Sequence, residues 1–137
     1  MQVSVQVQEE VIYPGMDNNG SKPADSLSEK RKFPRVKFIC PLLIMDRMRN
    51  YIGSIRNISM GGLAFESVDN MLSGKVYVFE FLLPNKKILD IKGEVKWSTR
   101  FDITTIYGVQ FRSMGFFTRI KLNTFIKESL EAGKKIL

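Results

Sequence analysis

The sequence predicts a mostly β protein: a six-stranded antiparallel β-barrel followed by a C-terminal α-helix. Three observations point there. Leu89, Ile91, Gly93, Val95 and Trp97 alternate with Asp90, Lys92, Glu94 and Lys96, the period of a strand with one buried and one wet face. Runs of aromatic and β-branched residues recur between clusters of turn formers. Near the C-terminus the period changes, and Leu122, Phe125, Ile126 and Leu130 fall at helical spacing. Short strands joined by tight turns leave open edges unless the sheet closes, so a barrel is expected.

Each element follows in order. Residues 1–28 read as a flexible tail, because 14–28 are turn formers and polar residues with little to bury. The alternation Val3, Val5, Val7 allows a short strand or partner-binding segment within it. Residues 29–137 are the folded domain. Residues 30–35 form a basic loop, kept extended by Pro34. Residues 36–45 are the first barrel strand, with a break or edge position at Pro41. After a polar turn, 51–58 make the second strand, 57–62 a turn and 63–67 the third strand. The polar stretch 68–74 leads to the apolar strand 76–83, which Pro84-Asn85-Lys86 turns back. The alternating segment 89–97 comes next, with Gly93 marking a bulge or bend and Trp97 read as core. Residues 104–111 are the last strand, with Ile106, Val109 and Phe111 as its apolar positions. A helix over 117–132 ends at Gly133, with Lys134 and Lys135 suiting its C-terminal dipole.

A chain of 137 residues supports one domain with a real core. Its formal charge of +7 is compatible with an anionic partner (a nucleotide, nucleic acid or acidic membrane surface) or with solubility alone. Cys40 is the single cysteine and histidine is absent, which leaves no plausible zinc site or internal disulfide and no base to activate the thiol. Cys40 therefore reads as a small buried hydrophobe. There is no P-loop, and Asp90 and Glu94 lie on a wet strand face, so no enzyme and no metal are expected. No apolar run reaches the length of a membrane span, and the N-terminus lacks the basic start and apolar core of a signal peptide. A cytoplasmic location is the expectation.

Two short signals remain. Arg31-Lys32-Phe33-Pro34-Arg35 places two arginines three residues apart, and Asn57-Ile58-Ser59-Met60-Gly61-Gly62 has the form N-x-S-x-G-G. An arginine fork grips phosphate oxygens or the O6 and N7 edge of guanine in two-point fashion, where lysine gives only a point charge. Asn suits a turn, a serine hydroxyl can donate to phosphate, and glycines permit positive φ or close approach of the backbone. Either signal alone is an ordinary basic loop or an ordinary turn.

Together they resemble the PilZ family of cyclic di-GMP receptors, whose site is written R-x-x-x-R followed by [D/N]-x-S-x-x-G. The matching positions are Arg31, Arg35, Asn57, Ser59 and Gly62, with Lys30 and Gly61 as neighbours. The resemblance covers roughly residues 29–133 and implies a six-stranded barrel with a C-terminal helix. It implies a ligand, cyclic di-GMP, held by Lys30, Arg31, Arg35, Asn57, Ser59, Gly61 and Gly62, no cofactor, and an unidentified downstream protein. The position of Lys30 influences, in the family, whether one ligand or a stacked pair binds. The other arginines, Arg56, Arg100, Arg112 and Arg119, read as solvated, with Arg56 and Arg112 the nearest of them to a bound anion. Two other functions stay open. One is an adaptor of the same fold that binds protein and no nucleotide. The other, less favoured, is a nucleic-acid-binding barrel, suggested by charge and by Tyr77, Phe79 and Phe81.

Overall fold

The computed structural model describes residues 5–8 and 33–136. The rest of the tail expected over 1–28 lies outside the described residues, as do Lys30 and Arg31. Seven strands form one antiparallel sheet: β1 (Val5–Gln8), β2 (Arg35–Met45), β3 (Asn50–Ile58), β4 (Gly62–Ser67), β5 (Val76–Leu82), β6 (Ile88–Phe101) and β7 (Thr104–Ser113). Their order is β1-β2-β3-β4-β7-β6-β5, and a further β2–β5 pairing closes β2 to β7 into a six-stranded barrel. One helix follows, α1 (Phe116–Ile136).

The alternation that predicts the strands also fills the barrel. On β2, Val36, Phe38, Cys40, Leu42 and Ile44 are all 2% exposed or less, and Phe79, Leu89, Ile91 and Val95 meet them from β5 and β6. Burying such a side chain contributes about 1.5–3 kcal/mol. Cys40 is among them, and burial pushes its thiol pKa up. Tyr77, Phe79 and Phe81 are also interior, 3% exposed or less, so the strand that suggested a nucleic-acid stacking face offers none.

The second edge of β2 is shared. β1 pairs along its start, from Val5↔Phe38 to Gln8↔Arg35, and β5 pairs near its end, from Leu43↔Glu80 to Met45↔Val78. Pro41 falls in the gap between them, an edge position that a residue without an N–H tolerates. The strand runs through it; the register slips instead between Lys37 and Cys40.

Slips in β6 reshape the sheet twice. One lies at Lys92/Gly93, where the bulge was expected. The other lies between Val95 and Trp97, and it overturns the reading of Trp97 as core. Trp97 pairs with Gly108, which stands between the inward Tyr107 and Val109 and so faces out. A side chain at Gly108 would meet the Trp97 ring. The indole thus lies half-buried across Gly108 on the outside of the barrel. The inward residues of β7 are accordingly Tyr107, Val109 and the partly buried Phe111, with Ile106 on the other face.

The two mouths differ. At one, the connection 68–74 is tied down by tyrosine hydroxyls. Tyr107 Oη donates to the Asp69 carbonyl (2.8 Å) and accepts from Met71 N–H (3.0 Å), while Tyr77 Oη accepts from Leu72 N–H (2.9 Å). At the other, α1 lays Leu122, Phe125 and Ile126 over the core, with the Phe125 ring centroid 4.8 Å from that of Phe38. The helix touches β1, β2 and β6. It continues past Gly133 to Ile136, beyond the expected stop. One glycine costs a helix only about 1 kcal/mol.

Candidate functional site

The mouth covered by α1 is where the two sequence signals meet. Arg35 opens β2 and is half-buried, so it belongs to a strand and not to an exposed loop. Inward Val36 and Phe38 leave Arg35 and Lys37 on the outer face. Asn57, at the end of β3, stands opposite Lys37 and Ala64. Its neighbour Ile58 points into the core, so Asn57 also faces outward, although it is only 5% exposed. Arg35 Nη1 donates to Asn57 Oδ1 at 3.3 Å. Strand pairing therefore joins one arginine of the first signal to the asparagine of the second.

Ser59 starts the turn and is 3% exposed. Its N–H donates to the Gly62 carbonyl (2.8 Å), and its Oγ accepts from Gly61 N–H (3.1 Å) and donates to the Gly62 carbonyl (3.4 Å). The hydroxyl thus builds the turn as seen here, where the sequence suggested a phosphate donor. The Gly61 carbonyl accepts from Phe111 N–H at 2.9 Å, anchoring the turn to β7.

The glycines are required by close approach. Positive φ at a glycine occurs, among the described residues, at Gly74 and not at Gly61 or Gly62. A Cβ on Gly62 would run into the Val109 carbonyl of β7. A Cβ on Gly61 would lie 2.8 Å from the Phe33 ring, which sits on the turn. Phe33 was not picked out from the sequence. Its signal was available: an aromatic between the two arginines of a basic segment, with a glycine pair elsewhere to receive it.

Phe33, Pro34 and Met60 form one wall of a groove of about 560 Å³, and α1 forms the other with Arg119, Ile120, Asn123, Ile126, Lys127 and Leu130. Arg119, expected to be merely solvated, is thus the further arginine beside the Phe33 segment. Arg56 and Arg112, expected nearer an anion, are engaged with Glu66 (3.0 Å) and Glu94 (3.3 Å). On the other side, pairing runs Asn57, Ala64, Gly108, Trp97 across four strands, so an aromatic ring shares the outer row of Asn57. Among the described residues no group of three Cys, Asp or Glu could hold a metal ion, and no helix is long and apolar enough to cross a membrane.

Comparison with known proteins supplies a family. Residues 29–128 match the model of the PilZ domain. No curated protein matches the sequence. Among solved structures, the Bacillus subtilis inhibitor of motility MotI/DgrA superposes with a TM-score of 0.65 at 16% identity, covering 74% of this chain and 52% of that one. The Klebsiella pneumoniae MrkH–c-di-GMP complex gives 0.64 at 17% identity, covering 78% and 55%. The PilZ domain of Escherichia coli YcgR with c-di-GMP gives 0.58 at 11%, covering 78% and 97%. At these identities the likeness is one of fold, and the chain spans about half the length of MotI and MrkH.

Proposed function

The chain belongs to the PilZ domain family, and from that premise we propose that it is a non-enzymatic receptor for cyclic di-GMP that passes the signal to a protein partner. The observation that carries this reading is the contact of Arg35 with Asn57, reinforced by Phe33 lying on Gly61. Two segments far apart in the chain meet at one mouth with a guanidinium, an amide and a close-packed turn.

The ligand brings two phosphates and two guanines. Arg31 and Arg35 grip phosphate oxygens or a guanine edge with their forked donors, and Lys30 adds charge. Asn57 offers an amide that both donates and accepts, and it orients Arg35. Ser59, Gly61 and Gly62 hold the turn that presents these groups. Binding joins the arginine segment to the turn, and the surface so formed is what the partner reads. Two of the structural neighbours were solved with c-di-GMP.

Calorimetric titration with cyclic di-GMP, with GTP and cyclic di-AMP as controls, tests this. Saturable binding of cyclic di-GMP alone is expected, with a micromolar dissociation constant corresponding to about −8 kcal/mol. Trp97, the single tryptophan, serves as a fluorescence reporter on the same outer row as Asn57. Absence of saturable binding at high ligand concentration leaves the adaptor that binds protein only.

A further inference from the structure

The first half of α1 carries apolar residues beyond those that face the core, and of these Ile120 also borders the groove beside Phe33. Leu122, Phe125 and Ile126 point into the barrel, whereas Phe116, Phe117 and Ile120 are 69%, 73% and 47% exposed. At 100° per residue these three lie on the side of the helix away from the core. The two phenylalanine rings meet edge to face, 5.4 Å between centroids, at the helix start. Isolated exposed apolar residues need no explanation, but adjacent aromatics on an otherwise wet helix mark an interaction surface.

Charge says what kind. From Phe116 to Lys127 the helix carries Arg119, Lys121 and Lys127 and no acidic residue; the first is Glu128. Arg119 and Lys127 are exposed beside the aromatic face. A second copy of a chain with net charge +7 meets this basic surface with like charge. Phe116 and Phe117 stand exposed at the helix start, while Arg119, Ile120 and Lys127 border the neighbouring groove. Adjacent aromatics bordered by basic residues, with no acidic residue over 116–127, have the composition of a helix that lies at an anionic lipid interface. We propose that the first half of α1 is a peripheral docking surface for an anionic lipid bilayer, with Phe116, Phe117 and Ile120 entering the headgroup boundary and Arg119, Lys121 and Lys127 facing lipid phosphates.

The test is co-sedimentation of the full chain with vesicles of pure phosphatidylcholine and of phosphatidylcholine with 30% phosphatidylglycerol. The expected result is binding to the anionic vesicles that falls steeply on adding salt, with none to the neutral ones. F116S/F117S is expected to lower the partition coefficient at least about tenfold and R119Q/K121Q by a similar factor, since each basic residue near such a surface is worth about 1 kcal/mol. Both aromatic positions are exposed, so circular dichroism, melting temperature and cyclic di-GMP affinity of F116S/F117S should match the parent. No binding to anionic vesicles, equal binding to neutral ones, or anionic binding that F116S/F117S leaves intact each overturns the proposal. The first of these, with binding of an acidic amphipathic peptide instead, assigns the face to a protein.

Discussion

The two mouths of the barrel are closed by different means, and the contrast separates stability from binding. At the mouth capped by residues 68–74, buried tyrosine hydroxyls take up backbone groups that would otherwise lie unpaired, and Met71 is drawn down to 7% exposure. At the mouth capped by α1, closure is apolar, through Phe125 on Phe38, and the polar residues gather beside it on the outer face. Substitutions at the tyrosine mouth should therefore cost stability and spare the ligand. Those at the helix mouth should do the reverse, except where a residue serves both the sheet and the site.

Gly62 is that exception and should show the largest effect. A side chain there meets the Val109 carbonyl within the β4–β7 ladder, so neither rotamer nor neighbour can give way. Gly62→Val is expected to destabilise by about 3 kcal/mol, the upper end for overpacking, and to weaken ligand binding as well. Denaturant unfolding checks the first and titration of the folded fraction the second. Parent-like stability would show that β4 and β7 are not held this closely.

Tyr107→Phe sharpens the contrast from the other side. It removes the hydroxyl that bridges Asp69 and Met71, so roughly 1–3 kcal/mol of stability should be lost. Cyclic di-GMP affinity should not change, because the altered atom lies at the opposite mouth. A large drop in affinity would mean that the two ends are coupled.

The smallest expected effect is a pH dependence at the tyrosine mouth. Asp46 caps its own turn, accepting from Met48 and Arg49 N–H at 2.8 Å each, and pairs with Lys75 at 2.9 Å. The Lys75 ammonium and the two backbone donors hold its pKa at about 2, below the usual 3.8. A depressed folded-state pKa means that the stabilisation is present above the ordinary value and is lost as pH falls from about 4 toward 2. Melting temperature of Asp46→Asn should accordingly approach that of the parent across that window. A gap that stays constant with pH would remove the charge from the explanation.

Much of this arrangement was legible in the sequence because periodicity reports which face is buried. The alternation at Leu89–Val95 and the stripe from Leu122 to Leu130 gave the barrel and its helix in the right order. What escaped depends on register and on distant neighbours. Trp97 continues the alternation by counting, but a slip of one residue reverses every later side chain. Asn57 reads as a turn residue by type, yet it lies within a strand, one residue before its end, and meets Arg35 through the pairing of β2 with β3. Phe33 has meaning only once Gly61 is beneath it. The tyrosine hydroxyls of the far mouth bond to a loop that composition alone marks as polar and featureless.

The most direct measurement is the cyclic di-GMP affinity of Arg35→Ala beside the parent, in one buffer at one salt concentration, with melting temperature recorded for both. Loss of a charge-assisted bond worth roughly 1.5–3 kcal/mol should weaken binding about tenfold to a hundredfold. The melting temperature should fall by no more than in Tyr107→Phe, since Arg35 is half-buried and gives Asn57 a hydrogen bond. Unchanged affinity in the variant, or a parent that does not bind, would contradict the assignment of the helix mouth as the cyclic di-GMP site.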